Sequence, residues 1–290
     1  MFSRMKTGTK VLAGFAVAIA VTAVVGVVGY RGISVLREHL TEVGKVRLPS
    51  VLGLEKMVAG QLEAAYGERG LINRRMMDAQ TRSNQYQRVD DGLKRAEEGW
   101  KIYEPLPQTP EEAVMWKAFV PTWEDWKKQL AEVVRLSKEK DSLLAGGLKP
   151  EDPKLTALDD QTFEASKVTR AAMNTSAAKL VEIVNLNIKL GDEAVLDGES
   201  AASSSITFSL VAIGVGVVIM LALGVFLARS ISRVLRTLTG EAKRLSDAAV
   251  AGKLETRGNP ELVSLEFRPI VEGVNATLDA VIGPLMVSAE

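Results

Sequence analysis

The chain has 290 residues, with 36 basic and 36 acidic side chains, one histidine and no cysteine. Zero net charge gives no overall pull toward nucleic acid, and the lack of cysteine excludes disulfide and thiolate chemistry. His39 alone is too few for a histidine-based metal site or a His-dependent triad, and it is expected near the outer membrane surface on the first long helix.

Residues 1–10 form a basic tail carrying Arg4, Lys6 and Lys10 and no acid. An uncharged apolar run follows from Val11 to Tyr30, and a second runs from Ile206 to Ala228. Each has about the 20 residues that a helix rising ~1.5 Å per residue needs to cross a ~30 Å hydrocarbon core. The second run is followed by Arg229, Arg233 and Arg236, with no acid before Glu241. Positive charge marks the cytoplasmic side, so both termini read as cytoplasmic and the loop between the runs as external. A cleaved signal peptide would share the basic start. This apolar core exceeds ~15 residues, however, and amphipathic helix follows it, so it reads as an uncleaved anchor.

Residues 31–205 are rich in Ala, Leu, Glu, Lys, Gln and Arg, which favour helix, and alternating strand patterns are absent. Val51, Leu54, Val58, Ala65 and Ile72 fit one seam of a first helix, interrupted by Gln61 and Glu68. Leu62 and Tyr66 support a neighbouring phase. Pro49 is expected to kink or restart this helix. A turn near Asp78 leads to a second helix, ending before Glu104-Pro105-Leu106-Pro107. Thr109 then reads as an N-cap and Pro110 as the first turn of a third helix, with Glu111 and Glu112 near its positive end. Trp116, Phe119, Trp123 and Trp126 fall on one face of that helix. They read as core packing, with an aromatic ligand cage as the sharper alternative. Pro121 lies within the same stretch. Gly146-Gly147 and Pro150 to Pro153 make the next loop. A fourth helix starts near Lys154 and meets no breaker before the second apolar run. Met173, Leu180, Ile183, Leu190 and Ala194 keep a seven-residue beat, with Asn187 at one seam position. Four helices with short loops and one apolar seam make an up-down-up-down bundle.

Beyond Ala228, a coiled-coil seam of Ile231, Leu235, Leu238, Ala242, Leu245 and Ala249 alternates spacings of four and three. Gly252-Lys253-Leu254 breaks it. A second seam follows at Val271, Val274, Leu278, Val281 and Leu285. Two such helices with a glycine-bearing connector form a parallel four-helix bundle only by pairing two chains, which implies a homodimer.

No catalytic constellation is visible: no phosphate loop with a following lysine, no zinc spacing and no nucleophile motif. The carboxylates read mostly as solvated helix faces. No enzyme activity, cofactor or metal is therefore expected. The best candidate for recognition is the far end of the first two helices. Arg69, Arg74, Arg75 and Arg82 cluster there with Tyr66 and Asn73. Guanidinium groups bind carboxylates bidentately, so a small carboxylate is the expected ligand. The alternative is an ordinary charged helix end with Glu68 and Asp78 as surface partners.

The stretch from Ser230-Ile231-Ser232-Arg233 to Gly252-Lys253-Leu254 resembles a HAMP domain. Ile270-Val271-Glu272-Gly273-Val274-Asn275-Ala276-Thr277-Leu278-Asp279 resembles the second HAMP helix of methyl-accepting chemotaxis proteins. Val234 stands where such domains usually carry proline. Gly8-Thr9-Lys10 to Gly14-Phe15, Leu48-Pro49-Ser50-Val51, and the stretch from Tyr103 to Pro107 and on through Trp116 to Val120 are similar to the sensor half of that family. The resemblance implies an all-α, membrane-anchored four-helix-bundle sensor at 31–205. Transmembrane helices at 11–30 and 206–228 would flank it, and a HAMP parallel coiled coil at 229–282 would follow. Residues 283–290, with Pro284-Leu285, are expected to start a second HAMP or signalling helix. The family implies a bacterial inner-membrane chemoreceptor, homodimeric, sensing an extracytoplasmic small molecule. Its long cytoplasmic hairpin, which docks CheA and CheW, is not within residues 1–290. A receptor fragment and a naturally short sensor are both compatible with that. The alternative output is a histidine kinase or a diguanylate cyclase, and the remaining reading is a ligand-free coiled-coil spacer.

Overall fold

A computed structural model describes residues 6–287, with burial of side chains described as far as Ile282. Leu285 of the second seam and the Pro284-Leu285 junction therefore lie outside the described side chains, as does Arg4 of the tail. Among the described residues the chain is helical, without strands. Helix α1 spans Thr7–Thr41, α2 Leu48–Leu71, α3 Ala79–Tyr103, α4 Pro110–Ala145, α5 Pro153–Val250 and α6 Arg268–Val287. The chain divides into two compact units, residues 34–202 and residues 1–33 with 203–290.

In the first unit, local chemistry sets the helix ends. Asp78 caps α3, its carboxylate accepting from Thr81 N at 2.8 Å. Thr109 and Glu112 form a reciprocal capping box around Pro110 at the start of α4. Pro49 does not restart a helix after a gap. A π-helical turn at Glu42–Arg47 joins α1 to α2 without interruption, and the Leu48 amide reaches the carbonyl of Val43. Proline has no amide hydrogen and its ring crowds the carbonyl four residues back, which favours a widened turn just upstream. Pro121 sits inside α4, which runs through it.

Leu54 and Ala65 are buried, whereas Leu62 and Tyr66 are 44% and 56% exposed, so the first of the two phases is the inward one in α2. Glycines on a seven-residue repeat line α2 where it meets α3: Gly53 faces Gly99, Gly60 faces Gly92, and Gly67 faces Gln85 and Val89. A Cβ on Gly53 would lie 2.8 Å from the carbonyl oxygen of Gly99, and one on Gly60 would collide with the carbonyl of Gly92. The two helices therefore meet backbone to backbone. On the other side of the bundle, rings stack along α4. Trp116 lies 4.6 Å from both Trp100 and Tyr103, and Trp123 lies 4.7 Å from Trp126. Phe119 and Trp126 are fully buried, so these aromatics are core. In α5, Leu180, Ile183, Asn187 and Ala194 are buried on the expected beat. His39 packs against Gly198 of α5.

In the second unit, the apolar lengths of α1 and α5 are each long and apolar enough to cross a membrane, and almost none of either window is buried by protein. Helix α5 ends at Val250, followed by Gly252 at φ 75°, a left-handed residue that suits glycine. The connector returns along α5 through a 3₁₀ turn at Pro260–Leu262, capped by Asn259. Asn275 of α6 holds the connector by bonding both backbone groups of Gly258, at 2.7 and 2.8 Å.

The glycine contact predicts a specific sensitivity. Gly60→Val forces α2 from α3 and should destabilise the sensor unit by about 1–3 kcal/mol through overpacking. Gly240→Ala, where nothing lies within 4 Å, should instead stabilise slightly. Thermal unfolding of the two variants by circular dichroism checks the contrast.

Candidate functional site

Two polar ties hold the bundle, one at each end. At the end where α2 begins and α3 finishes, Glu112 is fully buried. Its Oε2 accepts from Arg47 Nη1 at 2.9 Å, and its Oε1 accepts from Tyr103 OH and Asn187 Nδ2, both at 2.7 Å. Arg47 Nη1 also donates to Asn187 Oδ1 at 3.0 Å, and Arg47 Nε to Glu42 Oε1 at 2.7 Å within the π turn. One carboxylate thus joins the start of α2, the end of α3, the start of α4 and the seam of α5. Burial alone would raise the Glu112 carboxyl. Hydrogen bonds from Tyr103, Asn187 and Arg47 outweigh it and hold the group below its usual value. Glu112 stands near the positive end of α4, as expected, and also closes the capping box with Thr109. Its tertiary role has no local signal.

At the other end, Arg82 is buried and spans three elements. It donates to the carbonyls of Leu71 at 3.0 Å and Ser137 at 3.3 Å, and it pairs with Asp141, which also accepts from Tyr86 OH at 2.6 Å. Lys140 is fully buried against Asp159 at 2.6 Å.

These ties decide where the expected ligand residues stand. Arg82 is committed to the bundle interior rather than offered to a ligand, because its guanidinium replaces missing carbonyl partners at a helix end. Asn73 accepts from the Arg75 amide at 2.9 Å and shapes the α2–α3 turn. Arg74 pairs with Asp159 at 3.4 Å and Asp160 at 3.0 Å. Tyr66, Arg69 and Arg75 are exposed, with Tyr66 and Arg69 three residues apart on one face of α2. Asp78 caps α3, and Glu68 is not a surface partner but is 5% exposed inside the seam. Burial pushes the Glu68 carboxyl up to about 7, against the opposing pull of Arg170. Among the described residues no group of three or more candidate ligands could hold a metal.

In the second unit the seam is divided. Leu238 and Leu245 of α5 and Val271 and Leu278 of α6 are half-buried or buried, while Ile231, Leu235, Ala242, Val274 and Val281 are exposed. Leu254, on the connector, is 40% exposed. Arg257 pairs with Asp279 at 2.6 Å, and Glu241 accepts from the Asn259 amide at 3.2 Å, so the connector is tied to both helices.

Two outcomes follow from the buried carboxylates. Glu112→Ala leaves the buried Arg47 with only the half-exposed Glu42 as counter-ion and strands Tyr103 OH and Asn187 Nδ2, and should cost roughly 3–5 kcal/mol of stability, read from chemical denaturation. Glu68 binds a proton in the folded state that the unfolded chain has lost between pH 4.5 and about 7. Stability should therefore fall by roughly 3 kcal/mol as pH rises through that window and level off above it. Glu68→Gln should remove this part of the slope.

A family model described as a four-helix-bundle sensory module for signal transduction matches residues 4–202. A HAMP domain model matches residues 265–290, which contain α6. A protein of Acetivibrio thermocellus described as a sensory transducer is 26% identical over 201 residues, covering 68% of this chain and 33% of the relative. The chain thus spans about one third of the length of the curated relative it matches. No solved structure matches it. With its sensor bundle, its two membrane-length apolar helices and its HAMP segment, the chain belongs to the family of four-helix-bundle sensory modules for signal transduction.

Proposed function

We propose that the chain is the sensing and transmembrane part of a chemoreceptor, with the bundle outside the cell membrane and both termini in the cytoplasm. The observation that carries this reading is the continuity of α5. One unbroken helix holds the sensor seam at Asn187, the apolar run from Ile206 to Ala228 and the coiled-coil seam from Ile231. A ligand that binds two arrangements of the bundle unequally then shifts α5, and α5 carries the shift to the helix pair at its far end. The output is a cytoplasmic signalling hairpin that engages CheA and CheW, as the likeness of α6 to methyl-accepting chemotaxis proteins implies.

The functional unit is a homodimer. Leu48, Leu52, Leu62 and Tyr66 leave an exposed apolar stripe along α2, and Val181, Ile188 and Val195 leave another at seven-residue spacing along α5. Ile231, Leu235 and Ala242 are exposed seam residues in the second unit. A second copy covers all three sets. The ligand is a small carboxylate held at the α2 stripe by Tyr66 and Arg69, with Arg74 and Arg75 beyond it.

Both parts are testable. Leu235→Cys and Ala242→Cys should crosslink to dimers in membranes, while Lys243→Cys should not; failure of both seam positions to crosslink sinks the dimer. Calorimetry of the purified chain against organic and amino acids should find a carboxylate ligand. Losing the Arg69 guanidinium should weaken it about tenfold or more. Unchanged affinity in Arg69→Ala and in Arg74→Ala places the ligand elsewhere.

A further inference from the structure

The second unit contains a cavity of about 800 Å³, lined by Lys10 of α1, Arg229 and Arg233 of α5 and Ser264 of the connector. Among the described residues no acidic side chain lines it. Lys10 donates to Ser230 Oγ at 3.0 Å, and its charge also reaches Glu266, which accepts from the Thr7 amide. Arg229 and Arg233 have no ion pair or hydrogen bond to another side chain among the described residues. They are four residues apart and so lie on one helix face. On the upstream side the cavity wall is apolar, formed by Val225 and Phe226 at the end of the apolar run.

The cavity does not belong to the coiled-coil seam. Arg229 is nine residues from Leu238, and Arg233 nine from Ala242; at about 100° per residue that is half a turn around the helix. Phe226 stands in the same relation to Leu235. A second copy seated on the seam therefore leaves the cavity open.

We propose that this cavity binds an anionic phospholipid of the cytoplasmic leaflet. The headgroup phosphate lies between Arg229, Arg233 and Lys10, and an acyl chain lies along Val225 and Phe226. Two arginines without partners beside hydroxyl groups suit a phosphate. The continuous apolar wall selects a lipid over a free anion, because only a lipid offers both surfaces at once. The bound lipid joins the base of α1, the exit of α5 and the connector at Ser264, so its presence loads the junction through which α5 passes. The proposal rests on the reading that α1 and α5 cross a membrane.

The test is native mass spectrometry of the full chain carried from vesicles of phosphatidylcholine doped with phosphatidylglycerol. Wild type should retain phosphatidylglycerol in preference to phosphatidylcholine. The double variant Arg229→Gln with Arg233→Gln should bind it about thirtyfold more weakly. Arg236→Gln with Lys243→Gln, of equal charge change at positions that do not line the cavity, should bind as wild type does. Equal retention by the two double variants, or no preference for the anionic lipid, overturns the proposal. Displacement of the lipid by millimolar inorganic phosphate overturns it in favour of a free-anion site. Alkaline carbonate extraction is the separate check on the membrane reading: release of the chain into the soluble fraction refutes that reading, whatever the lipid result.

Discussion

A buried carboxylate at Glu112 constrains the whole sensor bundle. An ionised side chain with no exposure is strongly destabilising unless its charge and lone pairs are met, and here three side chains from three other segments meet them. None of Arg47, Tyr103 and Asn187 can leave alone without stranding a charge or a buried acceptor. The end of the bundle where α2 begins is therefore tied as a set, and under the proposed signalling it would exchange one complete hydrogen-bonded arrangement for another rather than stretch elastically.

The rest of the α5 seam is held more loosely. Thr162, Thr169 and Ser176 are buried on it, yet their hydroxyls donate to the carbonyls of Leu158, Ala165 and Met173 in their own helix. Thr162 and Thr169 fill the seam with hydroxyls turned to their own helix, whereas Ser176 also accepts from Gln61. Polar ties from this seam to the rest of the bundle stand at its two ends, at Asp159 and at Asn187, with Gln61 to Ser176 between them. Against this stands the α2–α3 hairpin, where glycines bring the backbones together and leave few side chains to repack. The asymmetry favours α5 as the displaceable helix and the hairpin as the frame. The π turn fits the same division, because it lets Arg47 face the bundle while the helix from α1 continues unbroken.

What could be read from the sequence follows the range of each interaction. Thr109 and Pro110 act within four residues, so their roles at the start of α4 were visible as residue types at fixed offsets, whereas Asp78 read as a turn and its cap of α3 emerged only with the structure. The beat through Leu180, Ile183 and Asn187 was visible because burial repeats along one helix. The Glu112 network joins residues 65 and 75 positions apart, and although the Thr-x-x-Glu spacing marks Glu112 as a cap partner, no pattern in the chain signals those distant bonds. The arginine cluster misled for a related reason. Sequence proximity gathered Arg69, Arg74, Arg75 and Arg82, but α3 turns Arg82 inward to the carbonyls of Leu71 and Ser137. The glycine repeat at Gly53, Gly60 and Gly67 was not singled out in the sequence, because its meaning comes only with α3 beside it.

The helix pair after the second apolar run leaves part of its seam exposed. Leu238, Leu245 and Val271 turn inward between α5 and α6, with Asn275 pinning the connector. Ile231, Leu235, Val274 and Val281 remain outside on the same two helices. Two helices bury one stripe between them, and a heptad seam has enough apolar residues for two. The second stripe is left for another pair of helices, and in the proposed homodimer a symmetric partner supplies the same residues in the same order. Under the proposed relay, a shift of Asn187 relative to its partners would reach this pair along α5 as a change in how Ile231 and Leu235 face the other copy. A seam shared by two chains is therefore suited to reading a small displacement, because packed side chains accept discrete registers and resist the positions between them.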